Sequence, residues 1–216
     1  MKARRAVRPG WAVERALWRD GYASIAGVDE VGRGPLAGPV VAAAVVIPRT
    51  PAGQASRARW ISQLRDSKQL TAAQRERLAE RIQNECLWAI RAVSPHVVDQ
   101  LNILRATRLA MRLAVDALPA RPDALIIDGR ELVEGGFEQR SVIGGDALCA
   151  SVAAASIIAK VARDSMMRDL DAIFPGYGLA DNKGYGTPEH LAALSTMGYS
   201  TIHRLSFAPV RLAVRR

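Results

Sequence analysis

The sequence predicts an α/β domain whose mixed central sheet is flanked by helices. Two apolar segments, residues 24–32 and 39–47, are joined by a Gly/Pro turn, which is typical of a hairpin. Further short apolar segments then alternate with stretches of helical periodicity. A hairpin followed by this alternation favours a sheet with both antiparallel and parallel pairs and with helices on its two faces.

Local signals mark the elements of the first half of the chain. A short amphipathic helix is expected over residues 11–19, ahead of the hairpin. Thr71-Ala-Ala-Gln74 is a capping box, which predicts a helix that continues to about residue 85. Residues 87–93 are expected to form a third strand. Apolar residues at helical spacing then predict a helix over residues 102–118, just before Pro119.

The second half continues the alternation and ends in a helical segment. Residues 124–128 form an apolar run that ends in an acid at a turn, and residues 141–143 are compatible with a short further strand. A long Ala-rich helix is predicted from residue 147 to about residue 171, with Asp146 at its start. Thr187-Pro188 is an N-cap followed by proline, which predicts a helix to about residue 197.

Length and composition are those of one domain with a small appendage. The chain has 216 residues, 49% of them hydrophobic, and we divide it into a basic N-terminal arm, residues 1–22, and a main domain, residues 23–216. No apolar stretch is long enough to span a bilayer, so we expect no membrane partner. Cys86 and Cys149 lie in apolar surroundings without the pattern of a disulfide framework, which indicates a reduced, cytoplasmic protein.

The formal net charge is +9, and the excess is concentrated at the two ends of the chain. Residues 1–20 contain six basic residues against Glu14 and Asp20, and no acid follows Glu189. Basic tails often do no more than aid solubility. A strongly basic protein also often binds a polyanion, so the charge favours a nucleic-acid partner.

Four acids form the candidate site: Asp29, Glu30, Asp128 and Asp146. Alone, an acid at a strand end is more often a turn former, and an acid before a helix is more often a cap. Asp29 and Glu30 also point to opposite faces of a regular strand, so both reach one site only if the strand ends or twists there. Taken together, the four predict a carboxylate cage for two divalent ions, Mg²⁺ or Mn²⁺, which is suited to phosphoryl transfer.

At this point the chain resembles the bacterial type 2 ribonucleases H, the ribonuclease HII family, over about residues 24–210. Separate motifs occur in the family's order. They are Gly27-Val-Asp-Glu-Val-Gly-Arg-Gly34, Asp66-Ser-Lys-Gln-Leu70, Ile127-Asp-Gly129, Gly145-Asp146 before Ala154-Ala-Ser-Ile-Ile-Ala-Lys160, Lys183-Gly-Tyr-Gly186 and His203-Arg-Leu-Ser-Phe207.

The resemblance implies an RNase H-like fold, with residues 23–216 as the catalytic domain. It implies hydrolysis of the RNA strand of RNA–DNA hybrids and incision at single ribonucleotides embedded in duplex DNA. The expected chemistry is two-metal-ion phosphodiester hydrolysis that leaves 3′-hydroxyl and 5′-phosphate ends. The resemblance also suggests a monomer.

Site residues follow from the resemblance by position. The four acids named above match the family's metal-binding, catalytic carboxylates. Gly32, Arg33 and Gly34 match the family's motif that senses the 2′-hydroxyl near the scissile phosphate. Tyr185 matches the tyrosine that stacks on the sugar at the RNA–DNA junction, and Lys68 and Lys183 match phosphate contacts. Gly145 stands where the family usually has a basic residue, so no contact is carried over there.

Two other functions remain open on the sequence alone. A type 3 ribonuclease H shares this core but carries an added N-terminal substrate-binding domain, for which the short arm leaves no room. A non-catalytic nucleic-acid-binding module would suit the basic charge but would have no use for four gathered acids. Several other residues have structural interpretations: helix salt bridges for Lys160, Arg163 and Asp164, hydrogen bonding for His203, and core packing for Cys149.

Overall fold

A five-stranded mixed sheet lies at the centre of the fold. This computed structural model describes residues 8–50 and 52–214. The strands lie in the spatial order β3-β2-β1-β4-β5, in which β2 is antiparallel to β1 and β3, and the pairs β1–β4 and β4–β5 are parallel. The predicted mixed sheet is therefore confirmed. Its strands are β1 (Ile25–Val31), β2 (Val40–Val46), β3 (Leu87–Val93), β4 (Ala124–Asp128) and β5 (Glu138–Val142).

Helices cover both faces of the sheet and continue past it. The described residues form α1 (Ala12–Arg19), α2 (Ala72–Glu85), α3 (Pro95–Leu101), α4 (Ile103–Asp116), α5 (Gly145–Leu148), α6 (Ala150–Ile173), α7 (Leu179–Asn182), α8 (Pro188–Met197) and α9 (Ala208–Val214). Short 3₁₀ turns occupy Arg59–Gln63 and Ser67–Gln69. The capping box predicted for α2 is present, with Thr71 and Gln74 each accepting a hydrogen bond from the other's backbone N–H. No helix among the described residues is long and apolar enough to cross a bilayer.

The two faces of the sheet have different packing. On one face, Val28 and Ile127 join a buried cluster with α4 residues such as Met111. On the other face, the long helix α6 lies so close to β1 that a side chain at Gly27 would run into the backbone of Ser151. Small residues on α6 allow this approach, which explains why the helix is rich in alanine.

Three details differ from the sequence-based expectations. Helix α3, capped by Ser94 and begun by Pro95, was not predicted. The prediction of a single helix from residue 147 is wrong, because the backbone at Cys149 is extended and separates the short α5 from α6. Asp146 therefore lies within α5 and not at the start of the long helix. Strand β5 is also longer than the suggested segment, since it begins at Glu138.

Helix α1 of the basic arm packs against the sheet and α6. Leu17 is fully buried with Ile126 and Val152. The Glu14 carboxylate is also buried, and its Oε1 accepts hydrogen bonds from the backbone N–H and hydroxyl of Ser151 in the first turn of α6. Residues 1–7 and 215–216, which carry part of the basic charge, lie outside the described residues. The division at residue 22 stays a prediction.

A buried histidine pair fixes the segment between α8 and α9. The Nε2 atoms of His190 and His203 are 3.0 Å apart, and Nδ1 of His203 accepts a hydrogen bond from the backbone N–H of Ser200. His203 therefore carries its proton on Nε2 and donates it to His190. His190 in turn donates from Nδ1 to the carbonyl of Tyr185. The structural role expected for His203 is what this geometry provides.

This pair should make folding stability depend on pH. Burial, followed by the neighbouring His190, lowers the pKa of His203 from 6.5 to about 4. Between those values the unfolded chain binds a proton that the folded protein does not, so stability is highest above pH 6.5 and falls as the pH drops toward 4. Thermal unfolding across this range should therefore show a shallower pH dependence in His203→Asn than in the wild type. The exposed His96→Asn is the matched control, and equal slopes in all three proteins would contradict the assignment.

Candidate active site

Asp29 and Asp128 lie side by side at the ends of two neighbouring parallel strands. The β1–β4 ladder pairs Val28 with Ile127, so the next residue on each strand is an aspartate. Neighbours at equal register in a parallel pair point to the same face. Val28 and Ile127 face α4, so the two aspartates face α6. The predicted meeting of these two acids follows directly from the register.

Glu30 begins on the opposite face from Asp29. Strand β1 stays regular through both acids to Val31, and Glu30 pairs with Ala42 on β2. The expected strand end between the two acids is therefore absent in this segment. The Glu30 carboxylate lies 3.2 Å from Nη1 of Arg33. Burial raises the pKa of Glu30, Arg33 opposes that rise, and Asp128 adds to it, so Glu30 remains within the electrostatic reach of the other acids.

The Asp29 carboxylate is buried among like charges. Only 5% of the residue is exposed. Burial raises its pKa well above 3.8, and the negative charges of Glu30, Asp128 and Asp146 raise it further. A hydrogen bond from Ser156 on α6 opposes this rise, and the Ser156 hydroxyl lies 3.0 Å from that of Ser67. The site thus stores unfavourable negative charge that a cation would relieve.

Asp146 and Lys68 approach the same group from two other segments. The backbone N–H of Gly145, directly before Asp146, donates to Oδ1 of Asp128 at 2.6 Å. Burial raises the pKa of Asp146, and Asp66 and Asp128 raise it further. For Lys68, burial alone would lower the ammonium pKa, but Asp66, Asp146, Asp29 and Asp128 outweigh burial and raise it. Lys68 therefore lies in the field of the candidate acids.

The donor set suits a hard cation, although the side chains do not converge on one point. Within residues 8–50 and 52–214, no three His, Cys, Asp or Glu side chains form a group that could hold a metal ion. Three of the four carboxylates are instead held by a nearby donor: Asp29 by the Glu30 N–H at 2.7 Å, Asp128 by Gly145, and Glu30 by Arg33. All four acids offer only oxygen ligands, which Mg²⁺ and Mn²⁺ prefer, and three have pKa values raised by burial and by neighbouring acids. In chemistry and charge they fit divalent metal.

The Gly-Arg-Gly turn and Tyr185 form one surface beside these acids. The carbonyl of Gly184 accepts hydrogen bonds from the N–H groups of Leu36 and Ala37, which joins the two loops. A side chain built at Gly34 would meet the Tyr185 ring at 3.6 Å. Gly32 has φ +91°, a conformation that glycine adopts at little cost. Tyr185 is 47% exposed and Arg33 is exposed, so both are accessible to a ligand.

Two buried arginines hold this surface together, and the sequence-based interpretation missed them. The Arg204 guanidinium donates to the carbonyls of Gly32, Arg33, Pro35 and Gly38. Arg163 donates to the carbonyls of Ala37, Pro39 and Lys183. Both side chains are fully buried. The surface salt bridge expected for Arg163 is therefore wrong, whereas the one between Lys160 and Asp164 is present at 2.7 Å.

Lys183 lies in the same loop in a left-handed conformation, with φ +54°. Its ammonium donates to the carbonyl of Ala180. Burial lowers its pKa, and the nearby positive charges of Arg168 and Lys160 lower it too, while Asp164 and Asp181 oppose the fall. The structure thus places Lys183 beside Tyr185, with its amine turned toward protein backbone.

Comparison with known proteins gives the family. The sequence model described as Ribonuclease HII matches residues 26–210 of this chain. The chain belongs to the ribonuclease HII family. Ribonuclease HII of Moorella thermoacetica is 53% identical over 205 residues, 94% of this chain and 96% of that protein. Ribonuclease HII of Desulfitobacterium hafniense strain Y51 is 51% identical over 200 residues, 92% of this chain and 74% of that protein.

Solved structures agree with this assignment. The ribonuclease H2 of Pyrococcus horikoshii OT3 superposes with a TM-score of 0.75 at 27% identity, covering 89% of this chain and 98% of that one. The predicted RNase H-like fold is confirmed. Ribonuclease HII enzymes are metal-dependent nucleases that hydrolyse RNA in RNA–DNA hybrids, so this chain is an endoribonuclease acting on nucleic acid. The alternative of a non-catalytic binding module is therefore set aside.

Proposed function

We propose that Asp29, Glu30, Asp128 and Asp146 hold divalent cations and that this chain incises duplex DNA at single embedded ribonucleotides as well as cutting hybrids. The observation that supports this most is the continuity of strand β1 with the Gly-Arg-Gly turn. One segment carries Asp29 and, within five residues, ends at Gly34 against Tyr185. Acids suited to metal therefore adjoin a glycine-rich surface that can approach a sugar closely.

The protein groups divide the work as follows. Bound Mg²⁺ or Mn²⁺ supplies charge stabilisation and activation of water at the phosphate. The backbone N–H groups of the 32–34 turn contact the 2′-hydroxyl, which distinguishes RNA from DNA. The Tyr185 ring packs against the neighbouring deoxyribose, where an added hydroxyl would clash. Lys68 contacts a phosphate, and Lys183 does so once its ammonium leaves the Ala180 carbonyl, which positions the duplex without reading its sequence.

The test of this function is cleavage of a labelled DNA duplex that contains one ribonucleotide. With Mg²⁺ or Mn²⁺ we expect a single cut that leaves 3′-hydroxyl and 5′-phosphate ends, and no cut in excess chelator. Comparing the two ions identifies the preferred cofactor. Efficient cutting of long hybrids with no incision at the single ribonucleotide would instead support the activity expected of the type 3 enzymes.

Tyr185→Ala should separate the two substrates. Stacking of a base on an aromatic ring is worth about 1–3 kcal/mol, and with the same range for the ring on the sugar we expect single-ribonucleotide cleavage to fall by about 5- to 150-fold. Binding of a long hybrid should change much less, because phosphate contacts dominate it. Cleavage rates and binding constants measured on both substrates give the comparison. Tyr199 is similarly exposed, at 45% against 47%, so Tyr199→Ala is the control. Equal losses on both substrates would show that the Tyr185 ring is structural.

We further propose that the protein acts as a monomer in the cytoplasm. Both cysteines are free, and burial raises the thiol pKa of Cys86 and of Cys149 to about 12. Such thiols remain protonated and inert, and it is the absence of a disulfide between them that suits a reducing compartment. Sedimentation at working concentration tests the monomer, and localisation of the tagged full chain tests the compartment.

A further inference from the structure

Two adjoining cavities line the side of the molecule formed by α1, α2 and the 49–70 segment. The larger, about 1280 Å³, lies between α2 and residues 58–70, and the smaller, about 630 Å³, lies between α1 and residues 49–57. Arg57 lines the smaller cavity and Arg59 the larger, so residues two positions apart in one segment line both. We call them together the arginine groove. Its basic residues are Arg8, Arg15, Arg19, Arg49, Arg57, Arg59, Arg65, Arg77 and Arg81.

Most of this positive charge is uncompensated. Glu80 and Glu85 are the only acids among the groove's lining residues. Glu85 is already engaged, since its Oε2 accepts a hydrogen bond from Trp60 at 2.7 Å and its Oε1 lies 3.9 Å from Arg81. Arg59 and Arg77 are exposed and form no side-chain hydrogen bond or ion pair with the described residues. Clustered like charges with free donors attract a polyanion.

The groove begins beside the candidate acids. Gln69 and Leu70 line its larger cavity and directly follow Lys68, whose ammonium lies in the field of Asp146 and Asp29. Its other end, at Arg49, follows strand β2. Because β2 is antiparallel to β1, its last residues lie at the end of the sheet opposite to Asp29. Asp29 pairs with Ala43, and the six residues from there to Arg49 span at most about 20 Å of extended chain, which limits the distance between the acids and this end of the groove.

Aromatic side chains in the groove are not presented for stacking on bases. Trp60 is buried and donates to Glu85, and Trp18 lies under the Arg49 guanidinium at 5.0 Å. Trp11 packs against the core and against Trp18, with ring centroids 5.7 Å apart. Single-stranded nucleic acid is typically bound by exposed rings on which bases stack. The groove therefore offers contacts to phosphate without a base-stacking platform, which favours a duplex.

We propose that the arginine groove binds the phosphate backbone of duplex DNA on one flank of the cleavage site. The position of the groove relative to the cleavage site rests on the function proposed above. The positive charge of the groove does not depend on that function. Duplex DNA rises about 3.4 Å per base pair, so a groove that reaches at most about 20 Å from the acids can track at most about six base pairs of flank. The groove lies on one side of the acids, so only one of the two flanks should reach it.

The experiment uses two duplexes that each contain one ribonucleotide, with the 5′ flank shortened in one and the 3′ flank shortened in the other. Binding is measured by fluorescence anisotropy in chelator, over a range of salt concentrations. The full-length wild type should bind one duplex more tightly than the other. Arg59→Ala/Arg77→Ala should remove that preference, weaken binding of the favoured duplex by about tenfold at low salt, and lower its salt slope by about two.

Arg91→Ala/Arg105→Ala is the matched control. Both arginines are exposed, on β3 and α4 away from the groove, and the same charge is removed. The control should keep the wild-type flank preference. Cleavage of a minimal duplex, with both flanks short, should be unchanged in the groove variant. Equal weakening on both duplexes, or the same effect in the control, would overturn the proposal. Failure of the proposed function would appear separately, as wild type that binds but does not cut.

Discussion

Asp29→Asn should nearly abolish cleavage while making the protein more resistant to heat in chelator. Losing a group that only orients a metal ligand typically costs 10- to 100-fold, so we expect a loss of more than about 100-fold here. The gain in stability has a separate cause. Burial and three neighbouring acids disfavour the charged form of Asp29, and the neutral amide removes that penalty.

The pKa of Asp29 determines whether Asp29→Asn raises or lowers the stability of the metal-free protein at a given pH. The pKa of Asp29 is raised in the folded state, so above 3.8 the unfolded chain loses its proton before the folded protein does. Ionised Asp29 therefore destabilises the metal-free fold at neutral pH. The stabilising effect of Asp29→Asn should be largest at neutral pH and should fade as the pH falls toward 4.

Bound metal should make the wild type more stable than Asp29→Asn, the reverse of the order in chelator. An ion that binds only the folded protein raises its melting temperature, so excess Mg²⁺ or Mn²⁺ should stabilise the wild type and have little effect on Asp29→Asn. Scanning calorimetry with and without metal measures this independently of activity. Asp169→Asn, an exposed carboxylate on α6, is the control and should behave as the wild type. A variant with the full metal-induced shift would show that Asp29 holds no cation.

Sequence patterns of a few residues were enough to predict the elements that depend on contacts between near neighbours in the chain. Strand β4 and its terminal Asp128 could be recognised because an apolar run of that length ends at a Gly turn. The capping box of α2 could be recognised because its two hydrogen bonds join residues three apart. The side-by-side placement of Asp29 and Asp128 needed only the parallel pairing of their strands.

Features that depend on distant contacts could not be predicted in this way. Cys149 interrupts the Ala-rich helix where Gly10 pairs with it from the arm, 139 positions earlier in the chain, and the alanine pattern carries no trace of that bridge. In the sequence, Arg163 resembles a surface charge because Lys160 and Asp164 lie on the same helical stretch. It is buried because carbonyls of the 37–39 loop converge on it. The sequence offered one signal for a structural arginine. Arg204 directly follows His203 in the motif His203-Arg-Leu-Ser-Phe207.

Arg204→Lys should lower both stability and activity, although it keeps the charge. The Arg204 guanidinium makes five hydrogen bonds of 2.7–3.2 Å to backbone carbonyls, chiefly those of Gly32, Pro35 and Gly38. Burial, together with nearby Arg163, lowers its pKa to about 9, so it remains charged at neutral pH. Lysine has three donors at one point and cannot reproduce the planar fork.

Leaving buried carbonyls without donors costs about 1–3 kcal/mol for each group, so we expect a loss of about 3 kcal/mol. For a chain of this length that lowers the melting temperature by about 6–12 °C. Because the same carbonyls shape the Gly-Arg-Gly turn, cleavage at a single ribonucleotide should weaken mainly through KM, measured well below the melting temperature. Arg211→Lys, an exposed arginine on α9, is the control for the exchange itself. A variant that melts at a lower temperature but cuts with unchanged KM would separate the stability of the loop from substrate recognition and contradict this second half of the prediction.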